Sequence, residues 1–141
     1  MTDPLSENAE TIRVVAYDPN WPILYMAERS NLLADAKPSF VVLEHVGSTA
    51  IPGLSAKPII DMMAAVTDMQ DGVSLIPRLA TLGYQRIEDG MPGRRFFRKK
   101  NPRTEISYHL HIVEFATWDE RNERLLRDYL RAHPQAAQAY G

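Results

Sequence analysis

The residues best suited to chemistry lie between Val46 and Asp61. Gly47, Ser48 and Thr49 follow a short β-branched run, and their order predicts a tight polar turn at the end of a strand. The backbone N–H groups of such a turn, together with a serine or threonine hydroxyl, can bind a phosphate. The segment lacks the Gly-Lys-Ser/Thr ending of a P-loop. Gly-Ser is also a common turn dipeptide, so a turn without a ligand is the alternative interpretation.

Asp61 places one carboxylate within the apolar run from Ile59 to Val66. Burying an unpaired charge is costly, so this carboxylate requires a cation, a metal ion or hydrogen-bond donors. The alternative is an aspartate near a strand end that accepts hydrogen bonds from backbone N–H groups. Lys57 lies just upstream, before Pro58, and is a candidate phosphate ligand, although a surface lysine before a proline is equally ordinary.

His109 and His111 are two residues apart on a predicted strand, so their side chains share one face of it. If that strand neighbours the strand of Asp61, the three side chains form a cluster. Such a cluster suits zinc or another transition metal better than magnesium. Protonated imidazoles could also bind phosphate, and neutral ones could transfer protons near neutral pH. The alternative is a pair of histidines that lines a half-exposed sheet face.

The densest group of cations lies between Arg94 and Arg103. On a strand these charges divide between the two faces, which favours a solvated hairpin over a stripe that binds nucleic acid. Arg95, which precedes Phe96 and Phe97, is a candidate phosphate ligand at the edge of the site.

Hydrophobic periodicity and turn residues predict the elements that position these groups. Asn20 is expected to cap a first helix that runs to Leu33, and Asp68 a second that runs to about Leu82. A third helix is expected from Thr117 or Asp119 to Ala132. Its surface is expected to include the i,i+4 pairs of Glu123 with Arg127 and of Arg124 with Asp128. The predicted strands are 12–16, 40–46, 59–66, 84–88, 94–100 and 105–115, the last two as a hairpin.

This order of elements predicts an α/β (α+β) domain with a small mixed sheet and helices packed mainly on one face. The chain has 141 residues and a formal net charge of −2, so we expect one domain, residues 12–141, after a flexible arm, residues 1–11. It has no cysteine, which excludes disulfides, thiol catalysis and thiolate zinc sites. It also shows no membrane-length apolar run and no signal-peptide pattern, so a cytoplasmic location is expected.

A Gly-Ser turn followed by an aspartate within a strand is similar to the signature of the nucleotidyltransferase superfamily. The resemblance is closer to the GrpB family, and it covers almost the whole chain from about Val14 onward. The segments that resemble GrpB proteins are residues 45–54, 57–61, 94–99, 108–114 and 126–134.

The resemblance implies a nucleotidyltransferase-like fold. Active members of that superfamily hold Mg²⁺ with two carboxylates that lie two residues apart on one strand, and the Gly-Ser turn positions the phosphates of a nucleoside triphosphate. Gly47, Ser48 and Asp61 match this scheme. Met63 replaces the second carboxylate, and a thioether is a poor ligand for Mg²⁺.

Three functions follow as expectations. The first is transfer of a nucleotidyl group to a small-molecule or protein acceptor, with Mg²⁺, or alternatively zinc or manganese, at Asp61. The second is a non-catalytic module that binds a nucleotide or phosphate beside a degenerate metal site. The third is a metal-dependent activity in which Asp61, His109 and His111 are catalytic residues and metal ligands. In each case the partner is a nucleotide or phosphorylated small molecule, with no membrane and no specific nucleic acid.

Overall fold

The computed structural model describes residues 13–34, 40–88, 90 and 93–140, so the predicted arm 1–11 lies outside the described residues. Two short 3₁₀ segments, Ser48–Ala50 and Phe115–Glu120, accompany the longer elements. The strands are β1 (Val42–Val46), β2 (Ile59–Val66), β3 (Gln85–Ile87), β4 (Arg94–Lys100) and β5 (Ser107–Glu114). The helices are α1 (Asn20–Leu33), α2 (Met69–Thr81), α3 (Asn122–Ala132) and α4 (Pro134–Tyr140).

The strands form one five-stranded sheet in the order β1-β2-β5-β4-β3. Strands β2 and β5 are parallel, and the other neighbours are antiparallel, so the predicted mixed sheet is confirmed. The predicted hairpin is confirmed as β4 and β5. The parallel register places Asp61 opposite His109 and Met63 opposite His111. Two segments far apart in sequence thereby contribute to one sheet face.

The main core lies between the sheet and helices α1 and α2. Ile60, Met62 and Ala64 alternate along β2 toward this side, where they pack with Trp21 of α1 and Leu79 of α2. Burial of such apolar side chains contributes about 1.5–3 kcal/mol each, which makes this layer the principal stabilising feature of the domain. The expectation of helices mainly on one face is therefore confirmed for α1 and α2.

The second face of the sheet has a smaller apolar cluster. Met63 and Val113 are fully buried there against Trp118, which belongs to the 3₁₀ segment after β5. The cluster covers the carboxyl ends of β2 and β5 and leaves the earlier parts of these strands half-exposed. The side chains of Asp61, His109 and His111 are 29%, 21% and 17% exposed on this face.

Of the two predicted helix caps, one is present in the structure and one is not. Asp68 accepts a hydrogen bond from the Gln70 N–H at 2.8 Å and caps α2 as predicted. The expectation that Asn20 caps α1 is wrong, because Asn20 is already the first helical residue and its N–H donates to Asp18 Oδ1 at 2.8 Å. The aspartate of the preceding turn therefore supplies the acceptor.

Two further expectations change in the structure. The third helix begins at Asn122, because the chain first forms the 3₁₀ segment Phe115–Glu120. The predicted strand 12–16 is reduced to one bridge, in which Val15 and Ala56 exchange backbone hydrogen bonds of 2.9 Å, and Ile12 lies outside the described residues. This bridge brings the chain before α1 alongside the segment that connects the polar turn to β2.

Strand β1 forms one edge of the sheet, and side chains from two helices contact its backbone. The hydroxyl of Tyr25 in α1 donates to the Leu43 carbonyl at 3.1 Å. Arg127 in α3 donates to the His45 carbonyl at 3.0 Å. In the described ranges, no helix is long and apolar enough to span a membrane.

Candidate functional site

Gly47 packs directly against Asp61. Its φ of 77° and ψ of −177° lie in a region that is almost restricted to glycine. A Cβ placed on Gly47 would lie 2.6 Å from Asp61 Oδ2, so a larger residue would clash with the carboxylate. Glycine at this position allows the polar turn and the Asp61 side chain to be in direct contact.

A cavity of about 300 Å³ opens beside this contact. It brings together four of the residues predicted from sequence, namely Ser48, Thr49, Lys57 and Asp61. Its volume is at the lower end of the range of small-molecule sites, which run from roughly 300 to 1,000 Å³. The other lining residues are Val14, Ser55, Ala56 and Ile59.

The hydroxyl of Thr49 is engaged within the protein on both sides. It donates to the Ile59 carbonyl at 2.8 Å and therefore accepts from His45 Nε2 at 2.9 Å. Thr49 is only 1% exposed. The predicted role of its hydroxyl as a phosphate donor is therefore corrected, because this hydroxyl fixes the polar turn to the start of β2.

His45 supports that turn from within the protein. It is 6% exposed and stacks on Tyr25, with ring centroids 4.8 Å apart. Burial, reinforced by the positive charges of Arg131 and Arg127 and opposed by Asp61, lowers the pKa of His45 to about 4. The neutral imidazole with its proton on Nε2 is the form that donates to Thr49.

The free energy of unfolding is expected to decrease as the pH falls, because His45 resists protonation in the folded state. The unfolded chain binds the proton below about pH 6.5, whereas the folded chain resists it until the pKa of about 4. Stability is therefore present above that window and lost as the pH falls through it, by about 2 kcal/mol between about pH 7 and about pH 5. Urea unfolding at both pH values should show a fall that is smaller by this amount in His45→Gln, which can still donate to Thr49. An equal fall in both proteins would contradict this assignment.

Three arginines of α3 anchor this helix to β1 and to the end of the polar turn. Arg124 Nε and Arg127 Nη1 contact Glu44 Oε1 at 3.2 and 2.7 Å. Arg131 Nε donates to the Ala50 carbonyl, directly after the polar turn, at 2.9 Å. The expected surface pairing of Arg127 with Glu123 is thus replaced by a contact between α3 and β1.

The predicted cluster of Asp61 with the two histidines is present. Asp61 Oδ1 lies 3.5 Å from His109 Nδ1 and 3.6 Å from His111 Nε2. Burial lowers the pKa of His109; Asp61 opposes this, while His111 and Arg98 reinforce it. Phe96 packs beside the histidines, parallel to the His111 ring with centroids 4.8 Å apart. These three side chains form a half-buried polar group in which Asp61 is the carboxylate.

Arg94 and Glu123 also belong to this cluster, although the sequence analysis did not select them. Arg94 Nη1 lies 3.3 Å from His111 Nδ1, and Arg94 Nη2 lies 2.8 Å from Glu123 Oε2. Burial opposes ionisation of Glu123, but hydrogen bonds from its own backbone and from Arg94 hold its pKa below the ordinary value. Strand alternation could have identified Arg94 from the sequence, because it places Arg94 on the same face of β4 as Phe96.

Arg95 does not join the site. It is paired with Ile112 in the β4–β5 register, whereas Phe96 is paired with His111. Neighbouring strand residues point to opposite faces, so Arg95 lies on the α1–α2 side of the sheet, away from Asp61. The prediction of Arg95 as a phosphate ligand is therefore corrected, and Arg94 is the arginine that reaches the cluster.

The donor set does not fit the magnesium site of an active nucleotidyltransferase. Met63 is 0% exposed within the second apolar cluster, and Glu44, opposite Met63 across β1 and β2, is held by the arginines of α3. Asp61 is thus a single carboxylate, whereas Mg²⁺ requires several oxygen ligands. The described ranges contain no group of three or more histidine, aspartate or glutamate side chains that could hold a metal ion.

A family model described as "GrpB protein" matches residues 11–141. The chain belongs to the GrpB family. The resemblance identified from the sequence is therefore confirmed. A crystal structure of the conserved protein GrpB from Enterococcus faecalis superposes with a TM-score of 0.81 at 34% identity, over 92% of this chain and 78% of that one. The mixed sheet and helices of this GrpB chain are consistent with a nucleotidyltransferase-like fold.

Two curated proteins extend the comparison. The UPF0157 protein YqkA of Bacillus subtilis is 34% identical over 131 residues, which are 92% of this chain and 37% of YqkA. The GrpB chain thus spans little more than a third of that relative. A dephospho-CoA kinase of Mycolicibacterium paratuberculosis is 28% identical over 113 residues, which are 78% of this chain and 27% of the kinase.

Proposed function

We propose that this GrpB chain binds a nucleotide or another phosphorylated small molecule in the cavity beside Gly47 and Asp61. The observation that supports this most directly is the contact of the glycine turn with the Asp61 carboxylate at the wall of that cavity. Ser48 supplies a hydroxyl donor and Lys57 an ammonium group on the same wall. These groups suit a phosphate better than an apolar ligand.

The similarity to a dephospho-CoA kinase supports a nucleotide-related role. The matching segment covers 27% of that kinase, so it corresponds to one part of a longer protein. A binding module joined to an enzyme is compatible with a site that has a phosphate-binding turn and an incomplete set of carboxylates. Both the similarity to this kinase and the polar groups of the cavity favour a phosphorylated ligand, without naming which one.

Transfer of a nucleotidyl group to a small-molecule or protein acceptor is the second candidate function. The position of Asp61 beside the phosphate-binding turn favours it, as does His109, whose imidazole could accept a proton from the attacking group. The buried Met63 argues against a mechanism with two metal ions held by paired carboxylates. Binding without transfer is therefore the function that the geometry supports best.

Thermal unfolding with a panel of ribonucleoside triphosphates and pyrophosphate tests the proposal. Each ligand should be measured with EDTA and with Mg²⁺, Mn²⁺ or Zn²⁺. A ligand present at about 100 times its Kd stabilises the folded state by about 2.7 kcal/mol, which shifts Tm by several degrees. We expect such a shift with at least one phosphorylated ligand, and a metal requirement would favour nucleotidyl transfer instead.

Two charge-removing variants provide the matched comparison. Lys57→Met removes the cation in the cavity wall and should weaken binding roughly tenfold, as expected for loss of a charged hydrogen bond. Arg103→Met removes an exposed cation in the β4–β5 turn and should leave binding unchanged. An equal loss in both variants, or no shift with any ligand, would contradict the proposed site.

A further inference from the structure

We propose that Arg94 is a positioning residue of this site, which holds His111 in the tautomer that presents an Nε2–H group to Asp61. This inference deepens the proposed function and rests on it. Four side chains from four elements form one continuous series: Glu123 of α3, Arg94 of β4, His111 of β5 and Asp61 of β2. Each neighbouring pair is in contact, so the orientation of one side chain limits that of the next.

The tautomer follows from the chemistry of the donors. A guanidinium group has five N–H donors and no acceptor. Because Arg94 Nη1 lies 3.3 Å from His111 Nδ1, this nitrogen must accept the hydrogen bond and therefore bears no proton. The proton of the neutral ring is then on Nε2, the nitrogen that faces Asp61 Oδ1 at 3.6 Å. Arg94 thus determines which ring nitrogen of His111 carries the N–H group that faces Asp61.

Glu123 holds Arg94 in the required orientation. The Arg94 side chain is 9% exposed, and its Nη2 contacts Glu123 Oε2 at 2.8 Å. Its Nε has no hydrogen-bond partner among the described residues. The guanidinium is therefore held through its two Nη atoms, one bonded to the helix and the other to the histidine. This geometry uses the fork of an arginine, which a single ammonium group cannot reproduce.

The consequence concerns the Asp61 carboxylate. Its Oδ1 faces the Nε2–H of His111 on one side and the Nδ1 of His109 on the other. Its Oδ2 is packed against Gly47. At 3.6 Å the Nε2–H group of His111 attracts Oδ1 electrostatically without a direct hydrogen bond, and this attraction favours one rotation of the carboxylate. The carboxylate itself contacts the turn that we propose binds phosphate. Arg94 therefore acts on ligand affinity through His111 and Asp61, without contact with the ligand.

The test compares Arg94→Met with Arg95→Met. Methionine retains the length of the side chain and removes every donor, and Arg95 is the neighbouring arginine on the opposite sheet face. In ligand-free protein labelled with ¹⁵N-histidine, the Nδ1 resonance of His111 should lie in the unprotonated range for the wild type and Arg95→Met. Arg94→Met should show an averaged pair of nitrogen shifts, because both tautomers become populated. Arg94→Lys should restore the wild-type pattern only in part.

Pyrophosphate titration supplies the second readout. Arg94→Met should weaken the pyrophosphate Kd roughly tenfold, because Asp61 and the turn that it contacts are then less well preorganised for the ligand, and Arg95→Met should not change it. An unchanged His111 tautomer in folded Arg94→Met would overturn the positioning role. A changed tautomer with an unchanged Kd would also overturn it, because the histidine would then have no effect on the turn. Failure of the wild type to bind pyrophosphate or any nucleotide would instead refute the proposed function, and the tautomer measurement would still stand.

Discussion

Gly47→Ala will lower the free energy of unfolding by about 3 kcal/mol and abolish measurable binding of pyrophosphate. Two physical effects combine at this position. The backbone has φ 77° and ψ −177°, a conformation that costs residues other than glycine about 1–3 kcal/mol. The added Cβ would also lie 2.6 Å from Asp61 Oδ2 and 2.9 Å from Asp61 Cβ. Asp61 or the turn must therefore move, and either movement disrupts the cavity.

Gly53→Ala provides the matched control. Gly53 has a φ of 80°, but a Cβ at this position would have no neighbour within 4 Å. The control therefore includes backbone strain without the clash with Asp61. Chemical denaturation of both variants should show a larger loss for Gly47→Ala, and calorimetry should show normal pyrophosphate binding for Gly53→Ala. Equal losses of stability, with binding retained in both, would show that contact between Gly47 and Asp61 is unimportant.

Met63→Asp will destabilise the protein by more than about 3 kcal/mol and will not create a magnesium site. The change restores the spacing of two carboxylates on β2 that active nucleotidyltransferases have. Met63 is, however, 0% exposed and packs against Val46, Val113 and Trp118. An ionised carboxylate there would lose its hydration among apolar side chains, with Glu44 facing it from β1. Around Met63 the second sheet face is therefore an apolar core.

Met63→Leu is the control for volume, since a swap of similar apolar side chains usually costs less than about 1.5 kcal/mol. Urea unfolding of both variants should be measured with EDTA and with Mg²⁺. We expect Met63→Asp to remain destabilised in both conditions. Recovery of wild-type stability by Mg²⁺ in Met63→Asp alone would show that the site can still hold the metal.

Local sequence rules predicted the elements with clear boundaries. The cap at Asp68 is a side-chain acceptor two residues before the N–H that it binds, and such a short-range interaction depends on little else. The 3₁₀ segment before α3 was missed, because it is held by the burial of Trp118 against β2 and β5. That contact joins residues distant in sequence, which periodicity within one segment does not detect.

For the candidate site, too, the sequence predicted the local features and missed those that depend on the pairing of distant strands. Alternation showed that His109 and His111 share a face, but only the parallel pairing of β2 with β5 placed Asp61 opposite them. Arg95 was selected as a candidate although it lies on the sheet face opposite Asp61, because alternation separates Arg94 from Arg95 without stating which face holds the site. Glu123 was interpreted as a surface residue, because its partner Arg94 is on a strand of the sheet.

The hydrogen bonds on β1 have a further consequence for association between molecules. An edge strand can recruit a strand of another chain through its free backbone groups, and this is a common beginning of aggregation. On β1 the carbonyls of Leu43 and His45 already accept hydrogen bonds from Tyr25 and Arg127. A neighbouring molecule would therefore have to displace two helix side chains before it could extend the sheet at this edge. The contacts that anchor α1 and α3 to β1 thus also act as a barrier to sheet growth.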